Sequence, residues 1–140
     1  MNVSKQFIAL KAVIEHNGKV LILRESKKYE EGANFGKYDI CGGRLKVGEN
    51  WKQALEREVE EETSLKISIK QPFYVGEWYP MIKGEQCQII AIFFKCSLET
   101  KEIKLSADHD HYEWITPEEY EKYNLIPNLK PMFEEYLKIK

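Results

Sequence analysis

A chain of 140 residues with a formal net charge of −2 is long enough for about one domain with its own hydrophobic core. Its Lys and Arg residues are scattered, which excludes the basic stripe needed to bind polymeric DNA or RNA. No apolar run is long enough to cross a bilayer, and the N-terminus lacks the apolar stretch of a secretory signal. We therefore expect a cytoplasmic protein without membrane contacts.

The predicted elements follow one another without a repeat, low-complexity tract or linker, so we expect residues 1–140 to form a single domain. Two strands at 7–15 and 19–25 are joined by a His-Asn-Gly hairpin turn, and a helix begins near residue 51. The second half ends in helices. Its predicted elements are strands at 67–79, 87–96 and 112–115, a helix start at Thr116-Pro117 and a final helix at 128–139. This order favours an α/β sandwich.

The segment 43–65 places a glycine turn before a helix rich in glutamate. At roughly 100° per residue, one arc of that helix is apolar and should dock on the rest of the protein; it contains Trp51, Ala54, Leu55 and Val59. Three carboxylates project into the same arc: Glu58, Glu61 and Glu62. Glu56 and Glu60 point to the opposite side, as expected for a solvated surface.

Carboxylates turned toward apolar neighbours repel one another and have raised pKa values unless a cation neutralises them. Mg²⁺ suits such a set, because it takes oxygen ligands and is typically held by a few carboxylates together with substrate phosphates. Mn²⁺ is the alternative ion. The inward glutamates therefore predict a divalent metal site.

The spacing of this segment resembles the Nudix box, the signature of the Nudix hydrolase family of MutT-like enzymes. Eight of its nine specified positions match: Gly43, Glu49, Arg57, Glu58, Val59, Glu61, Glu62 and Leu65. Ser64 stands where the family has glycine, and Cys41 replaces the proline of the usual Pro-Gly-Gly lead-in. We expect Ser64 to make the helix end either strained or differently shaped, because glycine often adopts a left-handed cap there.

This resemblance implies a Nudix-type α/β/α sandwich with a mixed central β-sheet, and metal-dependent hydrolysis of a phosphoanhydride bond. In the family, the adjacent glutamates Glu61 and Glu62 are metal ligands, helped by a backbone carbonyl of Gly42 or Gly43. Glu58 is either a metal ligand or the general base.

Two further box residues have expected roles. Arg57 can pair with the carboxylate four residues later and hold its conformation, which places it with Glu58 and Glu61 among the catalytic candidates. Glu49 either binds a second ion through water or caps the start of the helix.

Three residues outside the box resemble functional positions of relatives, and each has an ordinary alternative. Asp108 lies in a loop that often places an acid near the metal, but short loops commonly carry solvated acids. Arg24 is a candidate substrate contact or a surface arginine at a strand end. Asn128 follows Pro127 as in members that recognise a purine, or it is a helix cap.

The short chain and its Asp-His…Trp loop resemble members that cleave nucleoside triphosphates, including oxidised purine nucleotides, to the monophosphate and pyrophosphate. Pro80, fifteen residues after Leu65, resembles a proline of relatives that cleave ADP-ribose, which leaves ADP-ribose or a nucleotide sugar as an alternative substrate. Trp78 and Tyr79 beside it are either base-stacking or packing residues.

Two interpretations without catalysis are a regulatory nucleotide-binding module and a structural domain whose acidic helix binds no metal. The intact box glutamates favour an enzyme. Whether the chain forms a homodimer is left open. Cys41, Cys87 and Cys96 are odd in number and lack metal-type spacing, which predicts reduced thiols.

Overall fold

The protein is described by a computed structural model that covers residues 2–28 and 34–140. None of the helices in these two ranges is long and apolar enough to cross a membrane. The elements in chain order are strands β1 (Lys5–His16), β2 (Lys19–Glu25), β3 (Tyr38–Asp39) and β4 (Gly42–Arg44), helix α1 (Trp51–Thr63), strands β5 (Ile67–Trp78), β6 (Met81–Ile82), β7 (Glu85–Leu98) and β8 (His109–Ile115), a 3-10 segment (Pro117–Lys122) and helix α2 (Leu129–Ile139).

The central sheet has the strand order β3-β2-β1-β7-β5, with β4 beside β1, β6 beside β7 and β8 beside β2. Strands β1 and β7 run parallel, whereas the other pairs are antiparallel, so the sheet is mixed. Residues of β1 alternate between two hydrophobic cores, as the two-residue period of a strand requires. Ala9 and Val13 join the core that contains α2, whereas Leu10 and Ile14 join the core that contains α1. The predicted α/β/α sandwich is confirmed.

The β1–β2 hairpin turns at Asn17 and Gly18, both with positive φ, as the sequence predicts. Its strands pair only next to the turn, where Glu15 lies opposite Val20. Further along β1, strand β4 replaces β2 as the neighbour, from Ala9 to Lys11. The expected ribbon is therefore short, and the opened hairpin admits the Gly42–Gly43 turn directly against β1.

Helix α1 begins with Asn50 as its N-cap, whose side chain accepts a hydrogen bond from the Gln53 amide. It ends at Ser64, which adopts the left-handed conformation with φ 64° and donates its N–H to the Glu60 carbonyl. The helix end therefore keeps the left-handed cap that glycine often forms, with a non-glycine residue at a positive φ. Trp51 was expected to dock fully but is 44% exposed, because its first-turn position covers the edge of the core, where it stacks on Phe94.

The C-terminal part differs from the prediction in one element. The residues after Thr116 form a 3-10 segment rather than an α-helix, and Thr116 makes no side-chain cap. Helix α2 is as predicted and buries Met132, Phe133 and Tyr136, with Leu137 partly buried. All three cysteines are free and buried, which confirms the prediction of reduced thiols.

Candidate metal and catalytic site

Glu62 lies on the last turn of α1 with its side chain against the glycine turn. The Gly42 N–H donates a hydrogen bond to Glu62 Oε1 at 2.9 Å. Burial raises the pKa of Glu62 to about 8, although the Lys11 ammonium and the Gly42 N–H oppose the rise. Gly42 has φ 143°, and a Cβ there would lie 2.0 Å from the Leu10 carbonyl oxygen. Only glycine therefore allows this turn to approach β1 so closely.

Glu58, one turn earlier on α1, lies against the other glycine of the turn. A Cβ added to Gly43 would lie 2.7 Å from Glu58 Oε2, so the missing side chain leaves the space that the carboxylate occupies. Burial raises the pKa of Glu58, while the neighbouring Arg57 charge opposes that rise. Two partly buried carboxylates thus face the Gly42–Gly43 turn.

Arg57 bridges three box glutamates. Its Nη1 donates to both carboxylate oxygens of Glu61 at 3.1 Å, which confirms the expected pairing four residues apart. Its Nη2 donates to Glu49 Oε2 at 2.9 Å and lies 3.4 Å from Glu58 Oε1. Arg57 therefore fixes the carboxylates of the box relative to one another.

Two expectations about these glutamates are wrong. The side chain of Glu61 was placed on the inner arc, but 59% of it is exposed, because it turns outward to pair with Arg57. Glu49 does not cap the helix, since Asn50 takes that position. Glu49 instead accepts hydrogen bonds from Arg57 and from the Lys46 amide, and the latter chiefly lowers its pKa.

The arrangement can be tested for its fit to a divalent cation. Within residues 2–28 and 34–140, no three His, Cys, Asp or Glu side chains converge into a ready-made metal cluster, because Glu61 is held by Arg57. Glu58 and Glu62 nevertheless present carboxylate oxygens at the glycine turn, and burial there raises the pKa values of both. A hard cation that takes oxygen ligands fits this set, with Glu61 joining it after exchange of its Arg57 contact.

A buried charged pair beside the turn was missed by the sequence reasoning. Lys11 is 9% exposed and donates from Nζ to Asp39 Oδ2 at 3.2 Å and to the Ile40 carbonyl at 3.1 Å. The signal was available: Lys11 is the one charged residue in the apolar run 7–14.

Asp108 and Arg24 lie at the ends of β8 and β2. Asp108 is beside Glu25 and His109, and its carbonyl accepts the Ser26 N–H. Arg24 is engaged with Asp110, to which its Nε donates at 2.7 Å.

A cavity of about 370 Å³ opens next to these two residues. It is lined by Ser26, Lys27, Lys28, Phe35, Ala107, His109 and Asp110. His109 Nδ1 and Glu25 Oε1 are buried without a partner in the described part of the chain. The cavity thus combines basic side chains, an aromatic ring and an unsatisfied histidine nitrogen.

Asn128 occupies the N-cap position of α2 but has helical φ and ψ and makes no side-chain capping hydrogen bond. The interpretation of Asn128 as a side-chain cap is therefore wrong.

Pro80 lies at the end of the β5–β7 hairpin, where its carbonyl accepts the Cys87 N–H. Trp78 packs on the core, and the hydroxyl of the more exposed Tyr79 donates to Glu77.

A family model for the NUDIX domain matches residues 6–136. The chain therefore belongs to the Nudix family, in agreement with the box and with the fold. It is an enzyme, a Nudix pyrophosphohydrolase.

Individual relatives agree with this classification. The chain is 24% identical to the nucleoside triphosphatase NudI of Escherichia coli K12 over 123 residues, which cover 81% of this chain and 84% of the relative. It is 25% identical to the CTP pyrophosphohydrolase of E. coli K12 over 139 residues, covering 97% and 95% of the two chains. The crystal structure of a MutT protein from Methanosarcina mazei Go1 superposes with a TM-score of 0.83 at 27% identity, covering 95% of this chain and 94% of that one.

Proposed function

We propose that this enzyme hydrolyses a nucleoside triphosphate to the monophosphate and pyrophosphate in a Mg²⁺-dependent reaction, with Mn²⁺ able to replace Mg²⁺. The observation that carries this proposal is the pair of partly buried carboxylates, Glu58 and Glu62, held against the Gly42–Gly43 turn, where burial raises the pKa of each. The names of NudI and the CTP pyrophosphohydrolase support a nucleoside triphosphate as substrate.

The roles proposed for the box residues are those that the resemblance of the box implies. Glu61 and Glu62 would hold the ion, together with a backbone carbonyl of Gly42 or Gly43. When bound, the ion supplies neutralisation of phosphate charge and activation of water. Glu58 has two candidate roles, metal ligand and general base, and its partly buried carboxylate beside Gly43 is compatible with either.

Arg57 acts through its neighbours by setting the positions of Glu61 and Glu49. Glu49, which accepts a hydrogen bond from Arg57, is a candidate for binding a second ion through water. Asp108 is a candidate for positioning the ion or the water from the β8 end of the sheet.

The nucleoside would occupy the cavity beside β2 and β8, where Lys27 and Lys28 provide positive charge and Phe35 provides an aromatic surface. Arg24 lies at its border through Asp110 and is a candidate substrate contact. Asn128, whose side chain makes no capping bond, is a candidate for recognition of the base. An oxidised purine deoxynucleotide is one member of this substrate class.

ADP-ribose or a nucleotide sugar is the second candidate substrate class. The observation that favours it is the position of Pro80 next to Tyr79, a residue that is 39% exposed at the hairpin end and whose ring could stack on a base. Both classes share the phosphoanhydride bond, so the same box residues would serve either reaction.

A panel of nucleoside triphosphates, oxidised purine deoxynucleotides, ADP-ribose and nucleotide sugars tests the proposal, with release of pyrophosphate or monophosphate measured with and without Mg²⁺. We expect Mg²⁺-dependent release of pyrophosphate from at least one triphosphate and its loss in Glu62→Gln. Glu60→Gln is the matched control, because Glu60 is exposed on the same helix. Turnover without Mg²⁺, or turnover unchanged in Glu62→Gln, would refute the assignment.

A further inference from the structure

Lys11 is buried in the middle of β1, where a lysine needs a specific reason to be tolerated. Its ammonium group is bound at two points: the Asp39 carboxylate at 3.2 Å and the Ile40 main-chain carbonyl at 3.1 Å. Both partners belong to the segment that leads into the Gly42–Gly43 turn. The lysine thus binds the chain just before the residues that contact the box carboxylates.

The backbone of β1 contacts the same segment. Lys11 lies opposite Gly42 in the antiparallel register of β1 and β4, and the Ala12 amide donates to the Cys41 carbonyl at 2.9 Å. The Gly42 N–H in turn donates to Glu62 Oε1. A continuous set of contacts therefore runs from the Lys11 ammonium through residues 39–42 to the carboxylate of Glu62.

A buried ion pair by itself is weak evidence for a stabilising role, because desolvation can exceed the attraction between the charges. Two observations point instead to placement of the turn. One of the two Lys11 hydrogen bonds goes to a main-chain carbonyl rather than to a charge. Asp39 Oδ1 also accepts the Ile40 N–H at 2.6 Å. The Lys11–Asp39 ion pair is therefore hydrogen-bonded to the backbone just before the Gly42–Gly43 turn.

We propose that Lys11 is a positioning residue of the Nudix site: by holding Asp39 and the Ile40 carbonyl, it sets the Gly42 N–H where it binds Glu62. This role rests on the proposed function in so far as Glu62 binds the metal. Partners that orient a metal ligand typically contribute tenfold to a hundredfold to metal affinity or activity.

The test is Lys11→Met, which keeps the length of the side chain and removes its hydrogen bonds. The dissociation constant for Mn²⁺ is measured on the metal-free protein by electron paramagnetic resonance, alongside kcat, KM and thermal unfolding. We expect Mn²⁺ binding about tenfold to a hundredfold weaker, kcat reduced by a similar factor, and a smaller change in the KM for nucleotide. Lys11→Arg, which can donate to the same oxygens, should recover part of the loss.

Lys5→Met is the matched control, since it removes a lysine from the same strand and breaks an exposed ion pair with Glu85. It should leave Mn²⁺ binding and kcat unchanged. Wild-type Mn²⁺ affinity in Lys11→Met, or an equal loss in Lys5→Met, would overturn the positioning role. If Lys11→Met does not fold, Asp39→Asn tests the same positioning role. It weakens one of the two contacts of the Lys11 ammonium group and should also weaken Mn²⁺ binding. Wild-type turnover with Mg²⁺ tests the proposed function separately, whereas Mn²⁺ binding decides the role of Lys11 whichever substrate is cleaved.

Discussion

Glu62 should make the metal-free enzyme less stable as the pH rises. Burial raises its pKa in the folded protein from 4.5 to about 8, so the folded state favours the protonated acid more than the unfolded state does. Below pH 4.5 both states hold the proton and Glu62 costs nothing. Between pH 4.5 and pH 8 only the unfolded chain releases it, and the free energy of unfolding falls. Above pH 8 the full penalty is present.

The size of this effect follows from the difference between the two pKa values. At about 1.4 kcal/mol for each pKa unit, the penalty reaches roughly 5 kcal/mol, which is comparable with the whole stability of many domains. Glu62→Gln keeps an oxygen that can accept the Gly42 N–H but carries no charge. The variant should therefore be more stable than the wild type at pH 8 and similar to it at pH 4.5.

Urea unfolding of wild type and Glu62→Gln between pH 4.5 and 8.5, with a chelator present, measures this difference. The comparison separates Glu62 from Glu25, whose pKa burial raises, and from His109, whose pKa burial lowers. Glu58 is coupled to Glu62, because its charge contributes to the raised pKa of Glu62. Mg²⁺ should stabilise the wild type at pH 8 far more than the variant. The same pH dependence in both proteins, or a less stable variant at pH 8, would refute this account of the site.

Three other substitutions test separate parts of the site and its helix. Gly43→Ala should lower kcat by about tenfold or more, because its Cβ would displace the Glu58 carboxylate. Displacing a group that supports a metal site typically lowers activity by such a factor. Steady-state kinetics with Mg²⁺ showing a normal kcat would contradict this. Arg57→Ala should reduce kcat by a similar factor of about ten while changing the free energy of unfolding by less than about 1 kcal/mol, since the Arg57 and Glu61 side chains are 37% and 59% exposed and water screens their attraction; a large loss in urea unfolding with full activity would reverse that interpretation. Ser64→Gly should raise Tm by about 3 °C by relieving the left-handed cap, and calorimetry showing a lower Tm would exclude strain at this position.

The sequence determined the order of the elements and the chemistry of the box, because both depend on local spacing. The hairpin turn at Asn17-Gly18, the helix from Trp51 and the pairing of Arg57 with Glu61 all follow from residues close together in the chain. The expectation that a glycine turn lies next to the glutamate site follows from the spacing of the glycines and glutamates in the box.

Other features depended on neighbours that are distant in sequence. Helical geometry alone predicted that Glu61 faces inward, but its side chain pairs with Arg57 and is exposed to solvent. Glu62 does face inward, where it accepts a hydrogen bond from the N–H of Gly42, twenty residues earlier in the chain. The pairing of β1 with β4 rather than with the full length of β2 likewise has no local signal.

The box segment by itself therefore determined that this protein carries a carboxylate site after a glycine turn, because the spacing of glycines and glutamates is a property of adjacent residues. Only the tertiary structure decided which carboxylates are buried and what holds them. Burial and long-range hydrogen bonds set the pKa of Glu62, and Lys11 reaches the turn only because β1 and β4 lie side by side. Those quantities depend on the assembled sheet, which no single segment of the chain contains.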